Sequence, residues 1–446
     1  MVRIINIEYH RTKRLNMTDP EIRKETKNIL EKNTFSGYSK SFKAEFHYMK
    51  PGPDRYPYQY FWDTCFHVYI MTATCMGEMA KRCIKSLFAM QEEDGFVGHM
   101  LYWNRFIPSR ITDLLQKRPS IKNLFKPHMS ALIQPPFAAQ AVLRIYSSTK
   151  DLSFVQEMLP KLKKYYSWLD ENRDFEKKGL ISIISYFEAG MDWKPTYDEV
   201  INRAPGKADF KLFFKVILID FKNFINGYQL KKIHEKNYFI VKDAGINTIY
   251  AQNLQAMATL CRLIHDSEGA INYETKANLT VKSIIDMMYD HEGAAFYDLY
   301  GQENKKIKVL TPTIFFPLVL KNIPDDIAVR VIKKHLFNKD EFAVPYPIPS
   351  VAVNHPSFDP NESIYIWRGP TWAVYNWFLH QCLMERGFRQ EATKMVETLK
   401  ELISKGGFRE YYNPYTGEGY GAFDFTWSGL VVDMMNMEEG VNVQEL

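Results

Sequence analysis

Segments with helical spacing alternate with glycine- and proline-broken loops along nearly the whole chain. The clearest helical segment begins at Gly245, and strand-like runs are confined to a few residues, as at Tyr238–Val241. Because loops between consecutive helices favour antiparallel helix pairs, this alternation predicts an all-α fold. The simplest closed arrangement of about a dozen such helices is an (α/α)6 toroid, with long loops at one end forming the active site.

Prolines and helix-capping residues predict several boundaries. Asp19 is expected to be the N-cap of the first helix, followed by a proline at the first helical position. Pro160 is expected to kink or end the helix that contains it. Two further helices are expected after Thr311 and Pro324. No repeat of fixed period is visible, which argues against an open solenoid.

The chain has no linker that would separate domains. We therefore expect residues 1–446 to form a single domain, in which residues 1–55 form an N-terminal helix and an extended arm. Hydrophobic residues make up 46% of the sequence and charged residues 24%, which is enough for a sizeable core. Aromatic residues make up 15%, and they are expected either to fill that core or to line a cleft.

Charge and cysteine content argue against several classes of protein. The net charge is +5, but lysine and arginine are spread along the chain, so a nucleic-acid partner is not expected. No run of about 18 apolar residues and no signal-peptide pattern is visible, so no membrane partner is expected. The five cysteines form neither a disulfide framework nor a CxxC pair, which favours a reducing, cytoplasmic location.

The segment Gly406–Leu430, GGFREYYNPYTGEGYGAFDFTWSGL, contains glycines, aromatic residues and the carboxylate of Glu410. It has neither a helical nor a strand period, which predicts an ordered functional loop. Other predicted loops also place carboxylates beside aromatic residues: Asp63 follows Trp62, and Asp192 stands near Gly190. Taken singly, each acid is as well explained by a helix cap or a surface charge.

Together, these acids fit glycoside hydrolysis, which needs one carboxylic acid to release the leaving oxygen and one carboxylate to activate water or attack. The chain has no GxSxG, P-loop or HExxH motif and no clustered His/Cys set, so serine-hydrolase, phosphate-loop and zinc chemistry have no support. No metal or cofactor is expected.

The motifs EAGMDWKPTYD, WRGPTWAVYNW, EYYNPYTGEG and FTWSG occur in this order, and the resemblance they carry runs from about Tyr56 to Met435. They resemble the catalytic (α/α)6 domain of glycoside hydrolase family 63, which is related to trehalases. The members most similar in size are the short bacterial glucosylglycerate and mannosylglycerate hydrolases. The resemblance implies an inverting α-glycosidase in which Asp192 is the general acid and Glu410 the general base.

The resemblance also implies sugar-binding positions, to which we add neighbouring residues of the same segments. The expected substrate-binding residues are Tyr56, Trp62, Asp63, His99, Trp103, Gln134, Gly190, Trp367, Arg368, Trp372, Tyr411 and Trp427. Alternatives stay open for three of them: a helix cap for Gln134, a satisfied loop histidine for His99 and a core position for Trp372.

The sequence departs from the glycerate-cleaving members at positions that hold glycerate there. Phe210 stands at the position of a tyrosine, Arg203 is out of step with an arginine, Ile366 replaces a tyrosine and Phe425 stands where an amide is expected. Each lost charge-assisted contact is worth about 1.5–3 kcal/mol. A short neutral α-glucoside is therefore the favoured substrate, and a glucosylglycerate or mannosylglycerate is the alternative.

Other classes remain as competing hypotheses. A sugar-binding protein without turnover would keep the same pocket, and a terpenoid-cyclase-like toroid would share the fold but lacks its acidic cluster here. The expected partner is a small carbohydrate substrate, and the sequence leaves a homo-oligomer open.

Overall fold

The computed structural model of the protein describes residues 17–103, 106, 108, 111–119 and 127–440, and the chain is mostly helical. The α-helices of the described residues are α1 (Asp19–Asn33), α2 (Phe61–Ala73), α3 (Gly77–Ala89), α4 (Ile111–Leu115), α5 (Ala138–Thr149), α6 (Leu152–Asn172), α7 (Phe210–Ile225), α8 (Leu230–Lys236), α9 (Ala244–Leu263), α10 (Ser267–Ser283), α11 (Asp325–Val331), α12 (Ala373–Glu385), α13 (Arg389–Gly406) and α14 (Leu430–Glu438).

Short connections join consecutive helices into pairs, because a few residues suffice to reverse the chain between antiparallel neighbours. The pairs are α2–α3, α5–α6, α9–α10 and α12–α13. In each pair the first helix is buried around most of its surface, whereas the second buries one face. This difference follows from composition, since a helix that is apolar nearly all round must be covered on all sides.

The more buried helices contact one another in a closed ring. α2 packs against α5, α5 against α9, and both α9 and α12 against the turn Phe316–Val319. α12 then packs against α14, and α14 packs against α2. The segments that precede these elements carry most of the predicted site residues.

The element after Thr311 differs from the helix expected there. It consists of two 3₁₀ turns, Pro312–Ile314 and Phe316–Val319. Pro312 and Pro317 lack backbone N–H donors, which prevents a regular α-helix from forming over this short stretch. The second expected helix is present as α11, which begins directly after Pro324.

The prediction of Asp19 as an N-cap was wrong, and of the two alternatives for Pro160, a kink or a helix end, the structure excludes only the helix end. The N-cap of α1 is Thr18 rather than Asp19, because Thr18 and Glu21 form a capping box. Pro160 lies inside α6, which continues through it. The carbonyl left without a donor belongs to Gln156, an exposed residue, so water can bind it at little cost.

Strands are short and pair only locally. They are β1 (Thr34–Ser39), β2 (Ala44–Met49), β3 (Gln59–Tyr60), β4 (Met100–Leu101), β5 (Val241–Lys242), β6 (Tyr289–Asp290), β7 (Ala295–Phe296), β8 (Asp298–Tyr300), β9 (Lys305–Ile307), β10 (Arg409–Tyr412) and β11 (Gly419–Phe423). The pairs β1–β2, β3–β4, β5–β8, β8–β9, β6–β7 and β10–β11 are all antiparallel. These sheets of two or three strands lie between the helices and do not form a separate layer of the fold.

The predicted loop within 406–430 contains the β10–β11 hairpin. Arg409 pairs with Phe423 and Tyr411 with Tyr420, so Gly421 and Ala422 together oppose the intervening Glu410. Such a β-bulge redirects side chains and is common beside active sites. The bulge and the glycines of β11 erase the two-residue alternation, which explains why the sequence showed no strand here.

A continuous hydrophobic core extends from Ile22 in α1 to Met435 in α14. The N-terminal helix is therefore packed into the same core as the last helix of the described chain. All five cysteines are unpaired, and all except Cys75 are buried. None of the described helices combines the length and apolarity required to cross a bilayer.

Candidate active site

A cavity of about 100 Å³ gathers side chains from segments that are far apart in sequence. Both predicted catalytic residues and nine predicted binding residues line it. These residues are Asp192, Glu410, Tyr56, Trp62, Asp63, His99, Gln134, Gly190, Trp367, Trp372 and Trp427. The loops that the sequence singled out therefore meet at one place.

Glu410 is buried at the bulge of the β10–β11 hairpin. The Tyr56 hydroxyl donates a hydrogen bond to Oε1 over 2.5 Å. Oε2 accepts hydrogen bonds from Arg55 Nη1 at 3.0 Å and from the backbone N–H of Ala422 at 2.9 Å. These three donors fix the direction of the carboxylate and offset the cost of burying its charge.

Asp192 lies half-buried in a turn whose backbone is tightly constrained. Gly190 has a φ of +68°, and a Cβ at this position would lie 2.4 Å from the ring of Trp62. Trp193 also has a φ of +68°, which a bulky residue adopts only when its surroundings enforce it. Tyr365 holds the Trp193 ring edge-on at 5.2 Å. The turn thus presents Asp192 to the cavity from a fixed frame.

Lys194, two residues after Asp192, anchors the same turn from the inside. Its buried ammonium donates to the carboxylates of Asp243 at 2.5 Å and Asp298 at 2.7 Å, and to the Thr313 hydroxyl at 3.0 Å. Asp243 is the N-cap of α9, and Thr313 lies in a 3₁₀ turn. The turn that carries Asp192 is therefore tied to two neighbouring elements by a buried charged cluster.

Glu188, at the start of this motif, has a structural role. Arg173 binds its two oxygens at 2.9 and 2.5 Å, and the backbone N–H groups of Ile133 and Ile184 donate to them at 2.9 and 2.7 Å. All of these groups are buried. Because Ile133 precedes Gln134, this carboxylate fixes the distance between the Asp192 turn and the segment that carries Gln134.

Asp63 lies in the first turn of α2, and its buried carboxyl group lines the cavity together with those of Asp192, Glu410 and Asp113. Burial, together with the charges of Asp192 and Glu410, raises the pKa of Asp63 to about 8, although its backbone N–H and the Trp427 indole N–H act in the opposite direction. The carboxyl group of Asp63 is thus close enough to those of Asp192 and Glu410 to interact with them electrostatically. Near neutral pH Asp63 is mostly protonated and can donate a hydrogen bond.

His99 and Gln134 supply polar atoms without charge. Burial lowers the pKa of His99 to about 3, so its imidazole is neutral, and its Nδ1 lies 2.6 Å from Ser130 Oγ. Gln134 Oε1 accepts the backbone N–H of Trp62 at 3.0 Å. Both side chains line the cavity. His99 is also hydrogen-bonded within the fold, as its alternative interpretation had it. Gln134 does not cap its own helix α5, whose N-cap is Phe137, but binds the first turn of α2.

Tryptophan rings form much of the cavity wall. Trp367 and Trp372 stack with centroids 3.8 Å apart and planes 7° apart. Trp62 and Trp427 meet edge to face at 5.2 Å. Rings locked against one another present fixed apolar faces, which suit the C–H faces of a sugar ring.

Trp103 and Tyr411 were predicted to bind substrate, but neither lines the cavity. The Trp103 indole N–H donates to Gln59 Oε1 at 2.7 Å, so its polar atom is used within the fold. The Tyr411 hydroxyl donates to the Ser363 carbonyl at 3.0 Å, and its ring stacks on Trp372. Tyr411 therefore supports the cavity wall through Trp372, whereas Trp103 packs against Phe42 and Phe46, which are not lining residues.

Arg368 was also predicted to bind substrate and also lies outside the lining. Its guanidinium forms a buried bidentate ion pair with Asp198. Arg203 donates to the same carboxylate at 2.6 Å. The motif position is thus occupied by an arginine that ties Trp367 to the segment after Asp192, rather than by one that reaches into the cavity.

Several lining residues were not among the predicted binding residues. They are Arg55, Tyr58, Tyr60, Met100, Thr112, Asp113, Gln116, Phe187, Ile366 and Phe425. Arg55 directly precedes Tyr56, and a cation beside a predicted binding tyrosine was a usable signal. Thr112 and Asp113 of α4, and Gln116 directly after it, could not be identified from hydrophobic periodicity, because α4 has only five residues.

Asp220 of α7 lies behind the cavity. Its raised pKa is expected to make the stability of the protein depend on pH. It accepts hydrogen bonds from Ser185 Oγ at 2.6 Å and Gln116 Nε2 at 2.5 Å. Burial, with smaller contributions from the charges of Glu188 and Asp192, raises the pKa of Asp220 from 3.8 to about 7. Between these values the folded state binds more protons than the unfolded state, so this contribution to stability is lost as the pH rises.

We therefore expect Asp220→Asn to flatten the decline in the free energy of unfolding between pH 4 and pH 8. The difference should amount to a few kcal/mol, at about 1.4 kcal/mol per pKa unit. Urea unfolding of wild type and variant at several pH values measures it. Asp326→Asn, which removes an exposed carboxylate, is the control and should follow the wild-type curve. If the free energy of unfolding of Asp220→Asn declined with pH in parallel with that of wild type, the raised pKa of Asp220 would be contradicted.

The arrangement suits acid–base chemistry on a small polar ligand. Carboxyl groups from separate segments face one ring-lined space, and one of them is held protonated by its surroundings. Among the residues that the structure describes, no group of three or more His, Cys, Asp or Glu side chains is placed to hold a metal ion.

Comparisons with known proteins find similar glycoside hydrolases. The family described as mannosylglycerate hydrolase MGH1-like glycoside hydrolase domain matches residues 56–428. The chain is 26% identical over 411 residues to a mannosylglycerate hydrolase of Thermus thermophilus, an alignment that covers 85% of this chain and 94% of the relative. It is 25% identical over 420 residues to a glucosylglycerate hydrolase of Mycolicibacterium hassiacum, covering 85% of this chain and 92% of the relative.

A solved structure shares the fold. The crystal structure of the GH63 mannosylglycerate hydrolase from Thermus thermophilus in complex with glucose superposes with a TM-score of 0.78 at 23% identity. The match covers 93% of this chain and 100% of that one. At 23% identity, this similarity supports a shared fold and nothing more specific.

Proposed function

Since the chain belongs to the MGH1-like glycoside hydrolases of family 63, we propose that it is an inverting, exo-acting α-glycosidase that hydrolyses a short α-glucoside. Its membership makes it a glycoside hydrolase. One observation carries the finer proposal: Asp192, Glu410 and Asp63 line the same cavity, between tryptophan rings. Two acids with separate roles and a binding wall are what glycoside hydrolysis requires.

Asp192 is the proposed general acid and Glu410 the proposed general base. Asp192 gives its proton to the glycosidic oxygen as the bond from that oxygen to C1 breaks. A water on the opposite face of the sugar attacks C1, and Glu410 accepts the proton that the water loses. The products are an alcohol and a β-configured sugar, and solvent returns both carboxyl groups to their starting protonation states. This mechanism requires the two carboxyl groups to lie about 6.5–9.5 Å apart.

The residues around Glu410 support its role as base. Arg55 and the backbone N–H of Ala422 both donate to Oε2 and hold the carboxylate in a fixed direction. Asp63, by contrast, is held protonated near neutral pH and is suited to donate to a sugar hydroxyl. Neutral His99 and Gln134 offer further hydrogen bonds to hydroxyl groups without repelling an oxocarbenium-like transition state.

The size of the cavity supports a short substrate. About 100 Å³ corresponds to roughly seven to ten water positions. That is the space of about one sugar ring, so a single terminal residue is expected to enter and be released, as in exo-acting hydrolysis.

The charges in the cavity argue against an anionic aglycone. Ile366 and Phe425 both line it, at positions where the glycerate-cleaving members are expected to have polar anchors. Arg55, the cation of the described lining, is already paired with Glu410. A carboxylate aglycone would therefore meet several acids and, among the described lining residues, no unpaired cation, whereas a neutral glucoside would not be repelled.

A glucosylglycerate or mannosylglycerate hydrolase is the second candidate. The names of the relatives from Mycolicibacterium hassiacum and Thermus thermophilus favour it. A sugar-binding protein without turnover is a weaker third candidate, because both proposed catalytic acids are present.

The proposed architecture is a single-domain (α/α)6 toroid. The closed ring formed by α2, α5, α9, the turn at 316–319, α12 and α14 supports six inner elements. α1, α3, α6, α10, α11 and α13 alternate with these elements in sequence and are the proposed outer helices. The continuous core from Ile22 to Met435 supports one domain.

The substrate proposal predicts the outcome of a product assay. Purified protein is incubated with α-linked glucobioses, trehalose, glucosylglycerol, glucosylglycerate and mannosylglycerate, and NMR follows the first-formed anomer. We expect β-glucose from a neutral α-glucoside, at a kcat/KM at least about 10-fold above that for either glycerate. A 10-fold difference corresponds to about 1.4 kcal/mol, near the value of one lost charged contact.

Each other outcome of this assay contradicts part of the proposal. An α product refutes inversion, and a preference for either glycerate supports the second candidate. No turnover on any substrate, with sugar binding retained, supports the third. Protein carrying both Asp192→Asn and Glu410→Gln is the control for contaminating glycosidases.

A further inference from the structure

Helix α7 carries an apolar face that is open to solvent. The residues of this face, called the α7 stripe below, are Phe210, Phe214, Leu218, Phe221, Phe224 and Ile225. They are between 46% and 66% exposed. Their spacing of three to four residues places them along one side of the helix over its full length.

The opposite side of α7 is packed into the protein. Leu212, Val216, Ile219, Asp220 and Asn223 are buried there. α7 thus buries a face that is partly apolar and partly polar, while its solvent-facing side is apolar. A helix of this composition is normally covered on all sides, but among the residues that the structure describes nothing covers the stripe.

The uncovered area is large enough for an interface. Each Phe side chain can bury about 150–250 Å², so four rings near half exposure leave roughly 300–500 Å². Leu218 and Ile225 add to this area, as do the exposed Ile111 and Leu114 of α4, which packs against α7. The total exceeds the roughly 300–600 Å² patch of an ordinary monomer and approaches the ~800 Å² per partner of a standard interface.

The lysines of α7 argue against a lipid surface as the cover. Lys215 donates to the backbone oxygens of Ile201 and Asn202 at 2.9 and 2.8 Å. The Lys222 ammonium lies over the ring of Tyr238 at 5.3 Å. Most of the positive charge of α7 is therefore directed to its own chain rather than toward anionic headgroups, and the stripe itself is purely apolar.

We propose that a second copy of this chain covers the α7 stripe, so that the protein is a two-fold symmetric dimer. An apolar stripe is complementary to itself, and two-fold dimers are the commonest assembly of soluble chains. The centre of α7 lies at the symmetry axis, where Leu218 packs against its counterpart. This interface uses the outer face of α7, so it neither depends on the proposed hydrolysis nor supports it.

The first test is the mass of the full chain in solution. Light scattering at micromolar concentration should give twice the chain mass of 52.4 kDa. Phe214→Glu combined with Phe221→Glu should give the monomer mass, because the dimer would bury four unpaired carboxylates. Ile271→Glu is the matched control: Ile271 lies on α10 and is 64% exposed, but it is outside the stripe, and this variant should remain dimeric.

A second variant keeps the test decisive if the double variant does not fold. Leu218→Cys, in a Cys75→Ser background that removes the exposed native thiol, should form a disulfide-linked dimer on mild oxidation. Ile271→Cys in the same background should not. A wild-type monomer at all concentrations overturns the proposal, as does a dimer unaffected by the Phe substitutions. Wild-type monomer that sediments with phosphatidylglycerol vesicles but not with phosphatidylcholine vesicles would also overturn it and identify a lipid surface as the cover.

Discussion

Glu410→Gln is expected to lower kcat by about 10²–10⁴-fold while the protein stays folded. Glutamine has nearly the shape of glutamate and can still accept the Tyr56 hydrogen bond, but it cannot accept a proton from water. Steady-state kinetics on the substrate identified by the product assay measures the loss.

The β10–β11 hairpin offers a matched control for this substitution. Glu418 is an exposed carboxylate of the same hairpin connection, and its Oε2 accepts a hydrogen bond from the Tyr420 hydroxyl. Glu418→Gln should retain wild-type kcat. Circular dichroism and thermal unfolding show whether Glu410→Gln is folded, since the charged contact with Arg55 is lost. A folded variant with near-normal kcat would remove Glu410 from the mechanism.

The composition of the site was largely predictable because its motifs lie in segments that local chemistry defines. Gly190 is required by a positive φ and by the close approach of Trp62, so the glycine before Asp192 has a local reason to be there. Asp63 follows Trp62 at the start of a helix that is apolar all round, which made a buried acid evident. Such signals depend on a few neighbouring residues and are therefore visible in sequence.

The direction of long side chains was not predictable in the same way. Arg368 stands in a motif that suggested substrate contact, yet its guanidinium turns to Asp198. Trp103 turns to Gln59. In both cases the partner is distant in sequence, and nothing in the local pattern shows whether a polar atom will be used by the fold or left for a ligand.

The predictions of regular secondary structure were wrong where local structural preferences compete. The bulge opposite Glu410 removed the strand period from the β10–β11 hairpin, although that irregularity gives the carboxylate its direction. Pro312 and Pro317 shortened a ring element to 3₁₀ turns, although its helix-like position in the ring is kept. In both places the departure from regular structure lies in or next to the candidate site.

The anchoring of the Asp192 turn explains why a substitution of Asp192 should be informative. Lys194 and Glu188 hold the turn through buried partners that do not include the Asp192 carboxyl. These anchors remain when the Asp192 carboxyl is exchanged for an amide. A change in rate can then be read as lost chemistry rather than lost structure.

Asp192→Asn is expected to lower kcat/KM on natural α-glucosides by about 10²–10⁴-fold, with a much smaller loss on 4-nitrophenyl α-glucoside. A nitrophenolate leaves without a proton, so only substrates with poor leaving groups need the acid. Glu410→Gln should be impaired on both substrates, because water must be activated in either case. Glu199→Gln, in an exposed carboxylate seven residues further along, should be normal on both. If Asp192→Asn were equally impaired on both substrates, or unimpaired on the natural α-glucosides, Asp192 would not be the general acid, and the protonated Asp63 would be the next carboxyl group to test.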